Sequence, residues 1–178
     1  MKSYVGIDLH STNSVIGIID EDNNQLFLKK LPNKLEQILL VLEEFRETNI
    51  GIVVESTYNW YWLVDGLLEN NYKVHLANPS GNIQYSGLKH SDDKKDSLWL
   101  ANLLRLNILK EGYIYPKKDR PVRDLLRRRI LFVQQRTAQI LSFQSMITRN
   151  LGIKKSSNEI KKLKPEEAIK LFSDKNFN

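Results

Sequence analysis

The strongest constraint on the fold is a change in the spacing of apolar residues near residue 33. Before that point lie three short apolar runs, at 4–9, 14–19 and 25–31, separated by polar turns, and the second run is rich in β-branched residues. Runs of this length and composition are typical of β-strands. After residue 33 the apolar residues recur every three or four positions, which is the spacing of a helix. The chain therefore begins with three strands and then changes character.

Helices and strands alternate after residue 33. Apolar spacing predicts helices over residues 33–47, 58–70 and 92–110, with Asn33 as the N-cap of the first. Two buried strands, at 51–55 and 72–76, lie between these helices. Short turns make the first three strands antiparallel neighbours, whereas helical crossovers place the last two strands parallel to the first. We therefore expect an α/β fold with a mixed five-stranded sheet and packed helices, which is the layout of an RNase H-like domain.

The composition excludes several classes of protein. The chain has 178 residues, of which 41% are apolar and 27% charged, so a folded protein is expected. It has no cysteine, which excludes a disulfide scaffold, a thiolate zinc site and a thiol nucleophile. No apolar run approaches the roughly 20 residues of a membrane span. The chain also lacks a signal-peptide pattern at its start. We expect a cytoplasmic protein without a membrane partner.

The charge is divided unevenly along the chain. Residues 1–112 carry 11 basic and 15 acidic side chains, whereas residues 113–178 carry 16 basic and 6 acidic ones. The front part is therefore acidic and the back part strongly basic. A basic segment of this density favours a polyanionic partner, most simply nucleic acid. Solubility alone is the alternative explanation.

A long helix is predicted from Pro121 to about Leu151, and Gly152 is expected to end it. Its apolar residues follow a heptad stripe, which indicates either a coiled-coil arm that forms a dimer seam or a helix folded back onto the sheet. We divide the chain into a domain over 1–112, a basic coiled-coil helix over 113–152 and a lysine-rich tail over 153–178. The tail contains a short predicted helix.

Four carboxylates fall where the predicted strands and the third helix would bring them together: Asp8, Glu55, Asp93 and Asp96. Converging carboxylates repel one another and need a cation, and oxygen ligands without His or Cys select Mg²⁺ or Mn²⁺. Two such ions would support phosphodiester chemistry. Asp92 could replace Asp93 as a ligand. Each residue alone could instead be a turn or cap residue.

The predicted long helix and the segment before it carry the candidate nucleic-acid contacts. Arg120, Arg123 and Arg127 lie about one turn apart and share a face. Arginine suits phosphate because its guanidinium bonds two oxygens at once. The full set is Lys117, Lys118, Arg120, Arg123, Arg127, Arg128 and Arg136. Near Glu55, Tyr58 or Tyr61 could stack on a base, although packing against the sheet is the simpler role for the aromatic residues there.

Four segments together resemble the DEDD transposases of the insertion-sequence 110 family, whose relatives include the pilin-gene-inverting recombinases. They are Val5-Gly6-Ile7-Asp8-Leu9-His10, Val53-Val54-Glu55-Ser56-Thr57, residues 92–105 and the basic run 123–129 with Gln135-Arg136-Thr137. The third segment departs from the family pattern, with Asp92 in place of Thr and Ser97 in place of Ala. The resemblance covers roughly residues 3–152.

The resemblance implies a RuvC-like, RNase H-type domain followed by a coiled coil. It implies that Asp8, Glu55, Asp93 and Asp96 bind Mg²⁺ and that the activity is DNA strand cleavage and exchange in transposition. Family members use a structured guide noncoding RNA and assemble as homodimers or higher homo-oligomers. Bound to DNA, such a protein would be associated with the nucleoid.

Family members are usually about twice this length and carry a C-terminal domain with a serine nucleophile. No catalytic serine is therefore assigned here, and recombination is expected to need that second domain.

Three other readings of the sequence stay open. A nuclease similar to Holliday-junction resolvases shares the acidic chemistry and the sheet, although a long basic helix argues against it. A non-catalytic nucleic-acid-binding module fits the charge. An actin-like ATPase domain fits the segment Gly6-Ile7-Asp8, but its glycine-rich turn is missing and the basic helix has no role in it.

Overall fold

The structure is a computed structural model that describes residues 1–82 and 93–173, and for residues 93–95 it describes only the course of the helix. The chain divides into two compact units, Met1–Ile114 and Tyr115–Asn178. Within the described ranges, no helix has the length and apolar character needed to cross a membrane.

The first unit is built on a single five-stranded sheet with the order β3-β2-β1-β4-β5. The strands are β1 (Ser3–Leu9), β2 (Asn13–Asp20), β3 (Gln25–Pro32), β4 (Asn49–Glu55) and β5 (Val74–Ala77). β1, β2 and β3 are antiparallel neighbours, whereas β4 pairs parallel to β1 and β5 parallel to β4. This order and these directions are those of an RNase H-like fold, so the predicted fold class is confirmed.

Side chains of β1 alternate between two covered faces of the sheet, as the pleat of a strand requires. Val5, Ile7 and Leu9 belong to a large apolar core with residues of α1 (Leu35–Glu43) and α2 (Tyr61–Glu69). Gly6 and Asp8 point to the opposite face, which is covered by α4 (Asp93–Arg105). Both faces of the central strand are therefore covered, and the two faces have different chemistry.

Two glycines allow α4 to lie directly on the sheet. Gly6 and Gly17 are paired across β1 and β2, and Ser97 of α4 lies over them, fully buried. A Cβ at position 6 would overlap the carbonyl oxygen of Ser97 and lie 2.8 Å from the backbone nitrogen of Ala101. Glycine in a strand interior often marks such a close approach.

Several boundaries differ from the sequence prediction. α1 ends at Glu43 rather than near residue 47, and α4 ends at Arg105 rather than near residue 110. A short helix, α3 (Pro79–Asn82), occupies a segment predicted to be a loop. Asn82 explains this helix, because its buried amide bonds the carbonyl oxygens of Asn78 and Lys110 and the backbone N–H of Lys110.

The predicted N-cap role of Asn33 is wrong. Lys34 occupies the N-cap position of α1 and makes no side-chain cap. Asn33 instead accepts a hydrogen bond from the Ser14 hydroxyl and donates one to the carbonyl oxygen of His10. These tertiary bonds hold the turn after β1, and they replace the local cap.

The described part of the second unit, up to residue 173, contains the α-helices α5 (Arg120–Leu151), α6 (Ser157–Lys162) and α7 (Pro165–Ser173). A 3₁₀ turn, Lys117–Asp119, leads into α5. Gly152 ends α5 in the left-handed region with φ 68°, as predicted. α6 was not predicted; it begins with a capping box in which Ser156 and Glu159 bond each other's backbone N–H groups.

Candidate active site

Two acidic side chains lie side by side at the carboxyl edge of the sheet. The register pairs Ile7 with Val54 in parallel, so the next residues, Asp8 and Glu55, end neighbouring strands at the same level. Adjacent strands are about 4.8 Å apart. Strand alternation places both residues on the face covered by α4. The predicted meeting of β1 and β4 at this edge is therefore present in the structure.

α4 brings the remaining acidic positions toward the same edge. Position 97 lies over Gly6, and Leu104 reaches Gly51, which is paired with Tyr4 at the other end of β1. α4 therefore runs antiparallel to β1, with its first turn toward the carboxyl edge. Asp96 is partly buried and directly precedes Ser97.

The backbone of Asp93 is one further turn toward the carboxyl edge. The Asp93 side chain and the whole of Asp92 lie outside the described residues, so the choice between these two as a ligand stays a prediction.

Asp8 is the most buried of the described candidates, with 4% of its surface exposed. A buried carboxylate needs a compensating partner, because burial penalises its charge. His10 supplies one, since its Nε2 lies 3.2 Å from Oδ2 of Asp8 while the imidazole remains 38% exposed. The sequence analysis gave His10 no role. Its position two residues after Asp8, at the end of the same strand, was the available signal.

The turn after β1 is tied to two other loops. The carbonyl oxygen of His10 accepts hydrogen bonds from the side-chain amides of Asn33 and Asn59, at 3.0 and 3.1 Å. Asn59 follows β4, and its Oδ1 accepts a bond from the Thr57 hydroxyl. The loops after β1, β3 and β4 are therefore joined at one point beside the acidic edge, which fixes its backbone.

The donor chemistry of the edge fits a hard divalent cation, because its acidic candidates offer only carboxylate oxygens. Among side chains that the structure describes, no three His, Cys, Asp or Glu residues are grouped closely enough to hold a metal ion. Asp93 is outside that search. Asp8 and Glu55 thus end neighbouring strands at one edge of the sheet, and α4 carries Asp96 toward that edge.

The seven candidate basic residues fall into three groups by exposure. Lys117, Lys118, Arg127, Arg128 and Arg136 are exposed. Arg123 is partly covered: its guanidinium lies 4.7 Å from the centre of the Tyr115 ring and 3.3 Å from Oδ1 of Asp124.

Arg120 differs from the other basic residues of this set. Only 7% of its surface is exposed, and its Nε donates to the carbonyl oxygen of Tyr115 at 2.8 Å. The structure therefore gives Arg120 a position at the start of α5 that removes it from the exposed basic surface. The sequence analysis had placed it on one face with Arg123 and Arg127, and helical spacing alone could not reveal the bond to the preceding segment.

The apolar stripe of α5 is exposed over the first part of the helix and buried at its end. Val122, Leu126 and Ile130 are each more than half exposed, at 61%, 55% and 53%. Ile147 and Leu151 are buried. The ring centres of Phe143 in α5 and Phe172 in α7 are 6.1 Å apart.

Comparisons with known proteins found a matching family model and a similar solved structure. A family model described as a transposase, of the DEDD type of insertion sequence 110, matches residues 5–150. A solved structure, "T. thermophilus RuvC in complex with Holliday junction substrate", is similar with a TM-score of 0.47 and 14% identity, covering 63% of this chain and 100% of that one. No curated protein matches the chain. Because the family model spans most of the sequence, the chain belongs to the DEDD transposase family of insertion sequence 110.

Proposed function

We propose that this chain is the RuvC-like catalytic domain and basic helix of a transposase that cuts and transfers DNA strands with Mg²⁺ or Mn²⁺. The observation that carries the proposal is the pair Asp8 and Glu55 at the ends of adjacent parallel strands, on the face where α4 delivers Asp96. Membership of a transposase family supports a DNA substrate.

The proposed metal ligands are Asp8, Glu55, Asp93 and Asp96. A bound divalent ion would polarise a phosphodiester oxygen and activate the attacking nucleophile. The donor set fits such an ion, since it holds hard oxygens and no sulfur. The protein contributes an ordered edge: Asp8 is buried and contacts His10, and Asn33 and Asn59 hydrogen-bond the carbonyl oxygen of His10 just after the strand end.

The proposed nucleic-acid surface comprises Arg123 and the exposed residues of the candidate set, which are Lys117, Lys118, Arg127, Arg128 and Arg136. Sixteen basic and six acidic residues follow residue 112, so this part cannot neutralise itself. Arginines along α5 and lysines in the turn before it suit backbone phosphates rather than base edges. α5 spans about 48 Å at 1.5 Å per residue, long enough to follow more than one turn of duplex. We extend the proposal to a guide noncoding RNA as a second polyanion on this surface.

Assembly as a homodimer or higher homo-oligomer is proposed through α5. The support is its exposed heptad residues, since apolar side chains such as Leu126 and Ile130 would be covered by a second helix. The test is mass by light scattering for the wild type and for Leu126→Glu with Ile130→Glu. A dimer that dissociates in the variant supports the seam, and an unchanged mass rejects it.

The metal site is tested by calorimetric titration with Mn²⁺, first without and then with a short DNA, on the wild type and on Asp8→Ala. Asp22→Ala is a matched control, because Asp22 is an exposed aspartate in the turn between β2 and β3. We expect saturable binding to the wild type and the control, weakened at least about 100-fold in Asp8→Ala, because the site loses its most buried ligand.

Equal binding by all three proteins with DNA present would refute the catalytic proposal. It would favour the second candidate, a non-catalytic nucleic-acid-binding module. The observation favouring that candidate is the lack of a three-residue metal cluster among the side chains described. Magnesium-dependent nicking of DNA by the wild type, absent in Asp8→Ala, would exclude it.

A further inference from the structure

Tyr58 is an aromatic side chain left in solvent at the acidic edge. Its exposed fraction is 82%, the highest of the large apolar and aromatic side chains in the described part of the chain. Its neighbour in the same turn, Trp60, is 2% exposed, and Tyr61 lies edge-on against Trp60 with ring centres 4.5 Å apart. Of the two tyrosines that could stack on a base, Tyr61 is therefore occupied by packing and Tyr58 is available.

The backbone that carries Tyr58 is held on both sides. The N–H of Thr57 donates to the carbonyl oxygen of Glu55 at 2.9 Å, and the N–H of Ser56 donates to that of Ala77 at 3.1 Å. On the other side, Asn59 bonds the carbonyl oxygen of His10. An exposed ring on a fixed loop presents a flat surface that loses little conformational entropy when a ligand covers it.

Tyr58 follows Glu55 closely along the chain. Tyr58 is three positions after Glu55, so their Cα atoms are at most about 11 Å apart. Bases along one strand of a duplex rise by about 3.4 Å per step. A ring at this position is therefore close enough to contact a base within a few nucleotides of a phosphate that is bound through a metal ion at the acidic edge. Aromatic rings stack on bases of any sequence, because every base has a π face.

We infer that Tyr58 is a base-stacking platform that holds an unpaired nucleotide next to the acidic edge, and so selects DNA that is single-stranded or locally opened there. This inference rests on the proposed function, because it assumes that the strand lies across Asp8 and Glu55. It assigns Tyr58 a positioning role and no part in the bond-breaking step.

The test uses a short single-stranded DNA of about 12 nucleotides, within the range of known single-strand sites, that carries one 2-aminopurine. Stacking quenches the fluorescence of this base. We expect quenching by the wild-type chain and by Tyr58→Phe, which keeps the ring. Tyr58→Ala should lose the quenching and bind roughly 5- to 150-fold more weakly, the range for removing one base–aromatic stack.

Leu40→Ala is the control for removing an exposed apolar side chain. Leu40 is 70% exposed and belongs to α1, on the opposite face of the sheet from α4. It should quench and bind as the wild type does. Tyr58→Ala with unchanged affinity and unchanged quenching would overturn the inference, as would equal losses in Leu40→Ala.

The same DNA separates this inference from the proposed function. If Asp8→Ala quenches the fluorescence and binds metal as the wild type does, the metal site is rejected and the stacking platform remains. If instead Tyr58→Ala still quenches the fluorescence and Asp8→Ala loses metal binding, the stacking platform is rejected and the metal site remains.

Discussion

Replacing Gly6 by alanine should separate α4 from the sheet. The added methyl would overlap the carbonyl oxygen of Ser97 and lie 2.8 Å from the backbone nitrogen of Ala101 and 3.0 Å from Cβ of Leu100. Carbon contacts are favourable at roughly 3.5–4.0 Å, so the helix must move by about 1 Å or more. Because backbone atoms and a Cβ form the obstacle, no flexible side chain can turn away to relieve it.

The free-energy cost follows from the residues that hold α4 in place. Leu100, Ala101 and Leu103 are 3%, 0% and 0% exposed. A gap of up to 1 Å forfeits about a quarter to a half of each dispersion contact. A fully buried leucine contributes about 1.5–3 kcal/mol. Partial loss at two leucines together with residual strain gives an unfolding free energy lower by about 3 kcal/mol, at the upper end for overpacking.

Urea unfolding followed by tryptophan fluorescence measures this change in the first unit alone, because all three tryptophans precede residue 115. With a slope of about 1.5 kcal/mol per molar, the midpoint for Gly6→Ala should fall by about 2 M. Gly112→Ala is the matched control, since its methyl would meet nothing closer than 3.7 Å. A fall of less than about 0.3 M in Gly6→Ala, or an equal fall in both variants, would refute the proposed packing of α4.

Three further predictions concern other parts of the molecule. Alanine at both Arg127 and Arg128 should reduce the slope of log affinity against log salt for duplex DNA by about 1 to 2, and an unchanged slope would remove them from the surface. Hydrogen bonds from Asn24 hold the pKa of Asp20 below 3.8, so its ionised form stabilises the fold above that value and this contribution is lost as the pH falls through the lowered pKa. The wild type should therefore exceed Asp20→Asn in urea midpoint at neutral pH and lose that margin as the pH falls through the lowered pKa of Asp20, whereas a margin independent of pH would contradict this. Ser156→Ala should destabilise α6 by about 1 kcal/mol, seen as faster amide exchange in that helix only.

The strands were predictable because their signal is local. Each of the five has a short apolar run bounded by polar residues. The change from strand to helical spacing of apolar residues after residue 33 indicates helical crossovers, and these predict which strands are parallel. The acidic edge followed from that order, since the ends of β1 and β4 must meet once the two strands are parallel neighbours. Fold class and the pairing of Asp8 with Glu55 therefore needed no tertiary information.

The features that the sequence did not reveal depend on contacts between distant segments. Asn33 makes hydrogen bonds with Ser14 and His10 instead of capping a helix. Arg120 is buried and donates a hydrogen bond to the carbonyl oxygen of Tyr115. Gly6 did carry a usable signal, because a glycine between β-branched residues in a strand indicates close backbone approach. α3 gave none, since it is held by Asn82 bonding a segment 28 residues away.

The contact of Ser97 with Gly6 and Gly17 also fixes the position of α4 along the sheet. Sliding the helix by one residue would shift it about 1.5 Å and turn it by about 100°. That screw motion would bring Asp96 or Leu98 to the place that Ser97 now occupies over the two glycines, and both side chains are larger than that of serine. The two glycines thus fix the register of α4 against the sheet. They thereby fix how far Asp96 lies from the ends of β1 and β4 before any ion or nucleic acid binds.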